Sequence, residues 1–292
     1  MLRKGRTAMS ELDKIRKNIN NIDEQMAQLF EKRMEMSEQV AAFKKARGLS
    51  IRDAEREREL IDRNRRHITD PAVASYYVQF LRGVLDLSCA YQSRLLSGMK
   101  VAYSGVEGAY GYLAARRMFP EARLIAYPDF AAAHRAVEVG EADSAVLPLE
   151  NSYAGEVGAV MDLLFSGELY INQVLERGIN TAKTNTTRFA ALSRTRNQPE
   201  TTKKREDENF VLVFTVQNDA GSLAQTLNII GAHGYNMRTL RSRPMKGLSW
   251  KYFFYVEAEG CINNTNGREM LQELSATCAK LRLVGSYYAN NI

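Results

Sequence analysis

Residues 12–43 read LDKIRKNINNIDEQMAQLFEKRMEMSEQVAAF, and the spacing of their apolar members decides the first part of the fold. Leu12, Ile15, Ile19, Ile22, Met26, Leu29, Met36, Val40 and Phe43 follow one another in alternating steps of three and four, and Arg33 takes the one remaining seam place. Such a repeat predicts one long helix ending near Gly48, with an apolar stripe that needs partners to cover it. A guanidinium is costly to bury unmatched, so Arg33 requires either an internal carboxylate or an anionic ligand held between helices. Lys44 shares Arg33's face to within about 20°, roughly 16 Å along the axis, so both long cations can converge on one small anion. Arg16 projects about 100° away and lies about 25 Å off, out of reach within one chain but available from a second helix running antiparallel.

Working outward, the 292 residues predict two domains or three small ones. With 45% hydrophobic and 25% charged residues the chain can bury a core, which excludes disordered and collagen-like classes. There is no long apolar run and no apolar stretch behind the basic start, so a cytoplasmic protein without membrane contact is expected. Cys89, Cys261 and Cys278 are far apart, as are His67, His134 and His233. That scatter points to no disulfide framework, metal centre or cofactor. Residues 1–99 carry 19 Lys and Arg against 14 Asp and Glu, and the remainder 21 against 20, so the basic excess belongs to the first third. An anionic small molecule accounts for it; no nucleic-acid motif is present.

After Gly48, Ser50 reads as the cap of a second helix with Asp53 three places on, and Asp70-Pro71 opens a third. Ser88 and Gln92 are spaced to share one face of that third helix beside its apolar seam. The set Ile15-Arg16, Ile22-Asp23, Arg33, Lys44, Arg52-Asp53-Ala54-Glu55-Arg56-Glu57 and Ser88-x-x-x-Gln92 resembles the all-helical chorismate mutases across residues 9–97. The resemblance implies an intertwined dimer of three-helix subunits that turns chorismate into prephenate. In that family's pattern Lys44 and Gln92 donate to the ether oxygen and Glu57 accepts from the ring hydroxyl. Arg33, Asp53, Arg56 and Ser88 bind substrate, with Arg16 coming from the partner. The rearrangement moves no proton and needs no nucleophile, so a His or Cys constellation is not expected.

From Met99 the pattern changes to alternating strands and helices, which predicts a small α/β lobe with parallel strands. Leu147-Pro148-Leu149-Glu150-Asn151-Ser152 and Asn185-Thr186-Thr187-Arg188-Phe189 resemble prephenate dehydratase, often fused behind such a mutase. That family places a second lobe between the strand Leu169–Val174 and Asn185, where this chain has some ten residues, Leu175–Thr184, too few for one βαβ unit of about 30. One lobe cannot form a two-lobed cleft, so Thr187, Arg188, Glu150, Asn151 and Ser152 are read as vestiges of a lost dehydratase.

The polar stretch Thr195–Asn209 reads as a linker, and 210–292 as a ferredoxin-like βαββαβ unit. Gly221-Ser222-Leu223 and Arg241-Ser242-Arg243-Pro244 resemble the ACT regulatory domain of the dehydratases, which binds phenylalanine between paired subunits. Gly221, Ser222, Leu223, Asn236, Arg238, Arg241, Ser242 and Arg243 are the expected effector residues. Arg238 and Arg241 stand where the family has Thr and Glu, which suggests a more anionic effector such as prephenate. The fold expected is therefore multidomain: mutase at 1–98, truncated lobe at 99–194, linker at 195–209 and ACT domain at 210–292, as a homodimer or dimer of dimers. A mutase with a degenerate dehydratase leads; a surviving bifunctional enzyme and a non-catalytic sensor of aromatic-pathway metabolites are the alternatives.

Overall fold

A computed structural model describes residues 2–175, 185–196, 208–248 and 250–288 of the chain, without the side chains of 2–10. All but Leu175 of the short segment expected to replace the second lobe, and most of the expected linker, lie outside these residues. The chain divides into two compact units, 1–98 and 99–292.

The first unit is three helices: α1 (Leu2–Arg47), α2 (Ala54–Arg65) and α3 (Pro71–Ser97). The seam repeat is realised as one helix that stops just before Gly48, whose φ of 64° suits glycine. Asp53, rather than Ser50, caps α2: its extended backbone lets the carboxylate accept from the Arg56 N–H at 3.0 Å. Asp70 caps α3 in the same way, with Pro71 in the first turn. Ser37 and Ala41 of α1 and Ala74, Leu81, Val84, Ser88 and Gln92 of α3 are buried. The nine apolar seam residues are not: each is 44% exposed or more. Fully burying one such side chain is worth about 1.5–3 kcal/mol, so the helix forgoes a large stabilisation unless something else covers the stripe.

The second unit begins with β1 (Lys100–Ser104), α4 (Tyr110–Met118), β2 (Arg123–Tyr127), α5 (Phe130–Glu138) and β3 (Ser144–Asn151). It continues through β4 (Gly155–Glu156), α6 (Gly158–Ser166), β5 (Tyr170–Leu175) and β6 (Thr187–Ser193). The C-terminal half is β7 (Glu208–Thr215), α7 (Ser222–Ala232), β8 (Asn236–Pro244), β9 (Tyr252–Glu259), α8 (Thr265–Thr277) and β10 (Lys280–Tyr288). The βαββαβ order appears as expected, with antiparallel neighbours β10-β7-β9-β8. The lobe is only partly parallel: β1 pairs β2 and β3 in that sense, whereas β6 runs antiparallel between β3 and β5. Helix α6 and strand β4 were not foreseen.

A larger difference is that the stretches expected as separate domains, 99–194 and 210–292, share one sheet in the order β2-β1-β3-β6-β5-β10-β7-β9-β8. The joint is Gly285 of β10 beside Ile171 of β5, beyond a bulge at Leu283/Gly285. Leu147, Val174 and Leu192 from the lobe pack with Val211, Val213, Phe253 and Val284 in a single core. Arg282 reinforces the joint by donating to the carbonyls of Leu164, Gly167 and Leu169, so a cation from β10 satisfies the open C-terminal end of α6. Phe165 of α6 stacks on Phe253 of β9 with centroids 4.3 Å apart.

At the joint a Cβ on Gly285 would collide with the Ile171 backbone, which cannot swing aside as a side-chain tip could. Gly285→Ala should therefore lower the thermal stability of the second unit by about 1–3 kcal/mol, the usual size of an overpacking strain. Calorimetry would show its transition shifted down while that of the helical unit stays put.

Candidate functional site

In the helical unit, α1 and α3 bring Arg33 onto Ser88. Arg33 Nη1 donates to Ser88 Oγ, and the hydroxyl donates in turn to the Val84 carbonyl at 2.8 Å, which leaves its lone pairs for the guanidinium. Among the described residues no carboxylate pairs with Arg33, and partial burial pulls its pKa below the usual arginine value. Of the two compensations open to this cation, the internal carboxylate is not what the fold supplies. One turn beyond Ser88, Gln92 is buried with its Oε1 lacking any hydrogen-bond partner. A buried amide end normally finds one, so the chain leaves polar capacity unmatched on the face where its uncompensated cation sits.

Lys44 closes the turn into α2 by donating to the Ile51 carbonyl. Glu57 of α2 faces α3: its Oε1 accepts from the Cys89 thiol at 3.7 Å and lies 3.7 Å from Arg52 Nε. Burial, then the neighbouring Glu57 charge, raises the Cys89 pKa, so the thiol keeps its proton and acts as donor. Arg52 also pairs with Asp86 of α3, and that hydrogen bond is the main reason its pKa is raised. Arg52 opens the motif Arg52–Glu57 without a role of its own in the sequence, and nothing there marks Asp86 or Cys89. Three expected residues stay apart within one chain. Asp53 is occupied as a helix cap, Arg56 is exposed and 3.5 Å from Glu59, and Arg16 is exposed and 3.9 Å from Asp13.

In the second unit the two dehydratase-like motifs lie on paired strands, with Glu150 opposite Arg188 and Asn151 opposite Thr187. Asn151 Nδ2 donates to Asn185 Oδ1 at 2.6 Å and Thr187 Oγ1 at 2.9 Å, while its Oδ1 accepts from the N–H groups of Tyr153 and Ala154. Ser152 Oγ accepts from the Thr186 N–H at 2.9 Å. Arg188 reaches across to the C-terminal half: its Nη2 is 2.8 Å from Glu257 Oε1 and 3.0 Å from the Tyr287 hydroxyl. Tyr287 donates to the same Glu257 oxygen at 2.7 Å. Glu257 has no solvent exposure, and burial followed by its charge pushes the Tyr255 and Tyr287 pKa values upward. The sequence signal for Glu257 was a lone carboxylate inside the apolar run Phe253–Ala258.

The residues expected to bind an effector do not converge. Alternation along β8 turns Arg241 and Arg243 to the more buried face and Asn236, Arg238 and Ser242 to the exposed one. Arg241 pairs with Glu150 at 2.8 Å, and Arg243 with Glu156 and Asp162, each at 3.0 Å. Burial alone would raise the Asp162 pKa, but Arg243 and Lys246 hold it low. Asn236 and Arg238 meet Glu259, while Gly221, with φ 88°, starts the helix that carries Ser222 and Leu223. The surplus positive charge expected from Arg238 and Arg241 is thus matched internally, by Glu259 and by Glu150.

Among the described residues, no His, Cys, Asp and Glu group is arranged to hold a metal ion, and no helix is long and apolar enough to cross a membrane.

Comparison with known proteins divides the chain at the same place as its packing. The family described as chorismate mutase type II matches residues 15–93, and prephenate dehydratase matches 101–173. A bifunctional chorismate mutase/prephenate dehydratase of Enterobacter agglomerans is 24% identical, the alignment taking in 95% of this chain and 96% of that one. Among solved structures, GqqA, described as a novel type of quorum quenching acylase, is 31% identical with a TM-score of 0.56, over 65% of this chain and 95% of that one. Prephenate dehydratase from Streptococcus mutans is 28% identical with a TM-score of 0.55, over 65% and 98%. A helical unit matched as a chorismate mutase, followed by a sheet unit resembling prephenate dehydratase, places this chain in the bifunctional chorismate mutase/prephenate dehydratase family.

Proposed function

We propose that the chain is a chorismate mutase in aromatic amino acid biosynthesis, that its dehydratase half has lost catalysis, and that the active molecule is a homodimer or a dimer of dimers. The observation that carries the mutase assignment is Arg33, held on Ser88 beside the unmatched Gln92 amide and without a carboxylate partner among the described residues. A cation so placed suits a substrate carboxylate. A second copy would supply Arg16 for the other one and cover the exposed α1 stripe. Arg56 and Asp53 would join on closure around substrate. As the ether C–O bond breaks and the new C–C bond forms, charge gathers on the ether oxygen, where Lys44 and Gln92 donate hydrogen bonds. Glu57 accepts from the ring hydroxyl, and the enclosed site holds the substrate in its compact reactive conformer.

Two further observations support loss of the dehydratase. The 377-position alignment with the Enterobacter relative takes in 95% of a 292-residue chain, leaving roughly 100 positions opposite gaps, and the dehydratase match stops at residue 173. Arg188, which follows Thr187 in the dehydratase-like motif, is committed to the buried Glu257. The C-terminal βαββαβ half would then serve regulation or assembly. With Arg238 and Arg241 paired to Glu259 and Glu150, the charge argument for an anionic effector weakens, and titration of the full chain with phenylalanine and with prephenate separates the two ligands. The 31% identity to the acylase favours one other reading, hydrolysis of an acylated amide by the second unit. Release of free acid from such a substrate would support it, and no turnover would remove it.

Supplied with chorismate, the purified protein should accumulate prephenate with no enzymatic phenylpyruvate; phenylpyruvate formed at an enzyme's rate would mean that the dehydratase survives. Arg33→Ala should cut kcat/KM at least about a hundredfold, the scale set by removing a donor from a preorganised site. An unchanged rate would sink the assignment. Arg188→Ala strands a buried carboxylate and should lower the stability of the second unit by about 3–5 kcal/mol, read by denaturant melts, with chorismate turnover retained.

A further inference from the structure

On the mutase reading Glu57 faces the substrate's ring hydroxyl, and a carboxylate free to rotate would hold that orientation poorly. Two neighbours meet one of its oxygens. Arg52, in the short turn before α2, is 3.7 Å from Glu57 Oε1 through its Nε, while its Nη2 pairs with Asp86 of α3. The Cys89 thiol, one residue past Ser88, donates to the same Glu57 oxygen at 3.7 Å. Arg52, Glu57 and Asp86 also line one groove between α2 and α3, together with Arg58 and Arg82. Glu57 is thus anchored to the helix that carries Ser88 and Gln92, and its position follows theirs.

We propose that Arg52 is a positioning residue for the rearrangement: clamped to α3 by Asp86, it holds the Glu57 carboxylate, with Cys89 as second donor, in the orientation that accepts from the ring hydroxyl of the substrate. This rests on the mutase reading. It assigns Arg52 no contact with substrate; its influence passes through Glu57 and is felt only when the substrate carries that hydroxyl.

The test compares full-length wild type, Arg52→Met, Arg52→Lys and Asp86→Asn on chorismate and on an analogue lacking the ring hydroxyl. Arg52→Met should lose about fivefold in kcat on chorismate, the upper end for one ion pair with an exposed partner. KM should stay within about threefold, and Arg52→Lys should recover part of the loss. On the analogue, wild type and Arg52→Met should turn over alike, whereas a purely structural defect would slow both substrates equally. Asp86→Asn should repeat the pattern more weakly, and it decides the matter if Arg52→Met does not fold. Equal losses on both substrates, or unchanged kcat on chorismate, would overturn the proposal. A wild type inactive on chorismate would instead remove the mutase reading beneath it.

Discussion

Glu257 is a carboxylate with no access to water, and the architecture of the second unit follows from how that charge is matched. An isolated buried charge is far too costly to keep. Arg188 from β6 and the Tyr287 hydroxyl from β10 both converge on it, although the carboxylate stands on β9. One charge therefore ties three strands from both halves of the unit. Around it lie Arg241 with Glu150, and Arg243 with Glu156 and Asp162, all bridging the same boundary. Together with the shared apolar core and the helix end capped by Arg282, these pairs make a lobe and a βαββαβ module into one sheet.

The helical unit shows the opposite electrostatic arrangement. Among the described residues Arg33 has a hydroxyl for a neighbour and no carboxylate, and Gln92 keeps an amide end unmatched. The contrast separates two uses of arginine in one chain. Arg188 is satisfied from within and holds structure together; Arg33 has no such carboxylate among the described residues, which is why we propose it for a ligand. An ion pair already made inside the protein must be broken before either partner can serve an incoming anion, which is why the same residue type reads as scaffold in one unit and as a site in the other.

The long helix, its end at Gly48, the start of α3 at Asp70-Pro71 and the βαββαβ order were legible because each rests on local periodicity or a capping residue. Arg33 could be singled out because a charge interrupted an apolar repeat. Asp53 was misplaced in the cap since Ser50 and Asp53 are equally good capping chemistries, and only backbone conformation chooses between them. The joining of β5 to β10 was not legible: it depends on a glycine that lets two backbones approach, and Gly285 has no local signature. Nor were the partners of Arg241 and Arg243, because Glu156 and Asp162 are brought to them by tertiary packing, with no sequence periodicity linking them.

The position of β10 in the sheet also bears on the order in which the protein is made. The strand pairs Gly285 with Ile171, so the lobe gains its neighbour only when the last strand has been synthesised. Contacts between residues so far apart in sequence form slowly. The helical unit, complete by Gly98, has all its own helices long before then, while β5 must wait with an open edge. Nascent chains halted before residue 280 would expose that edge, and exposed edges seed association between chains. The second unit therefore ties its own completion to arrival of the C-terminal strand, a constraint on biosynthesis rather than on catalysis.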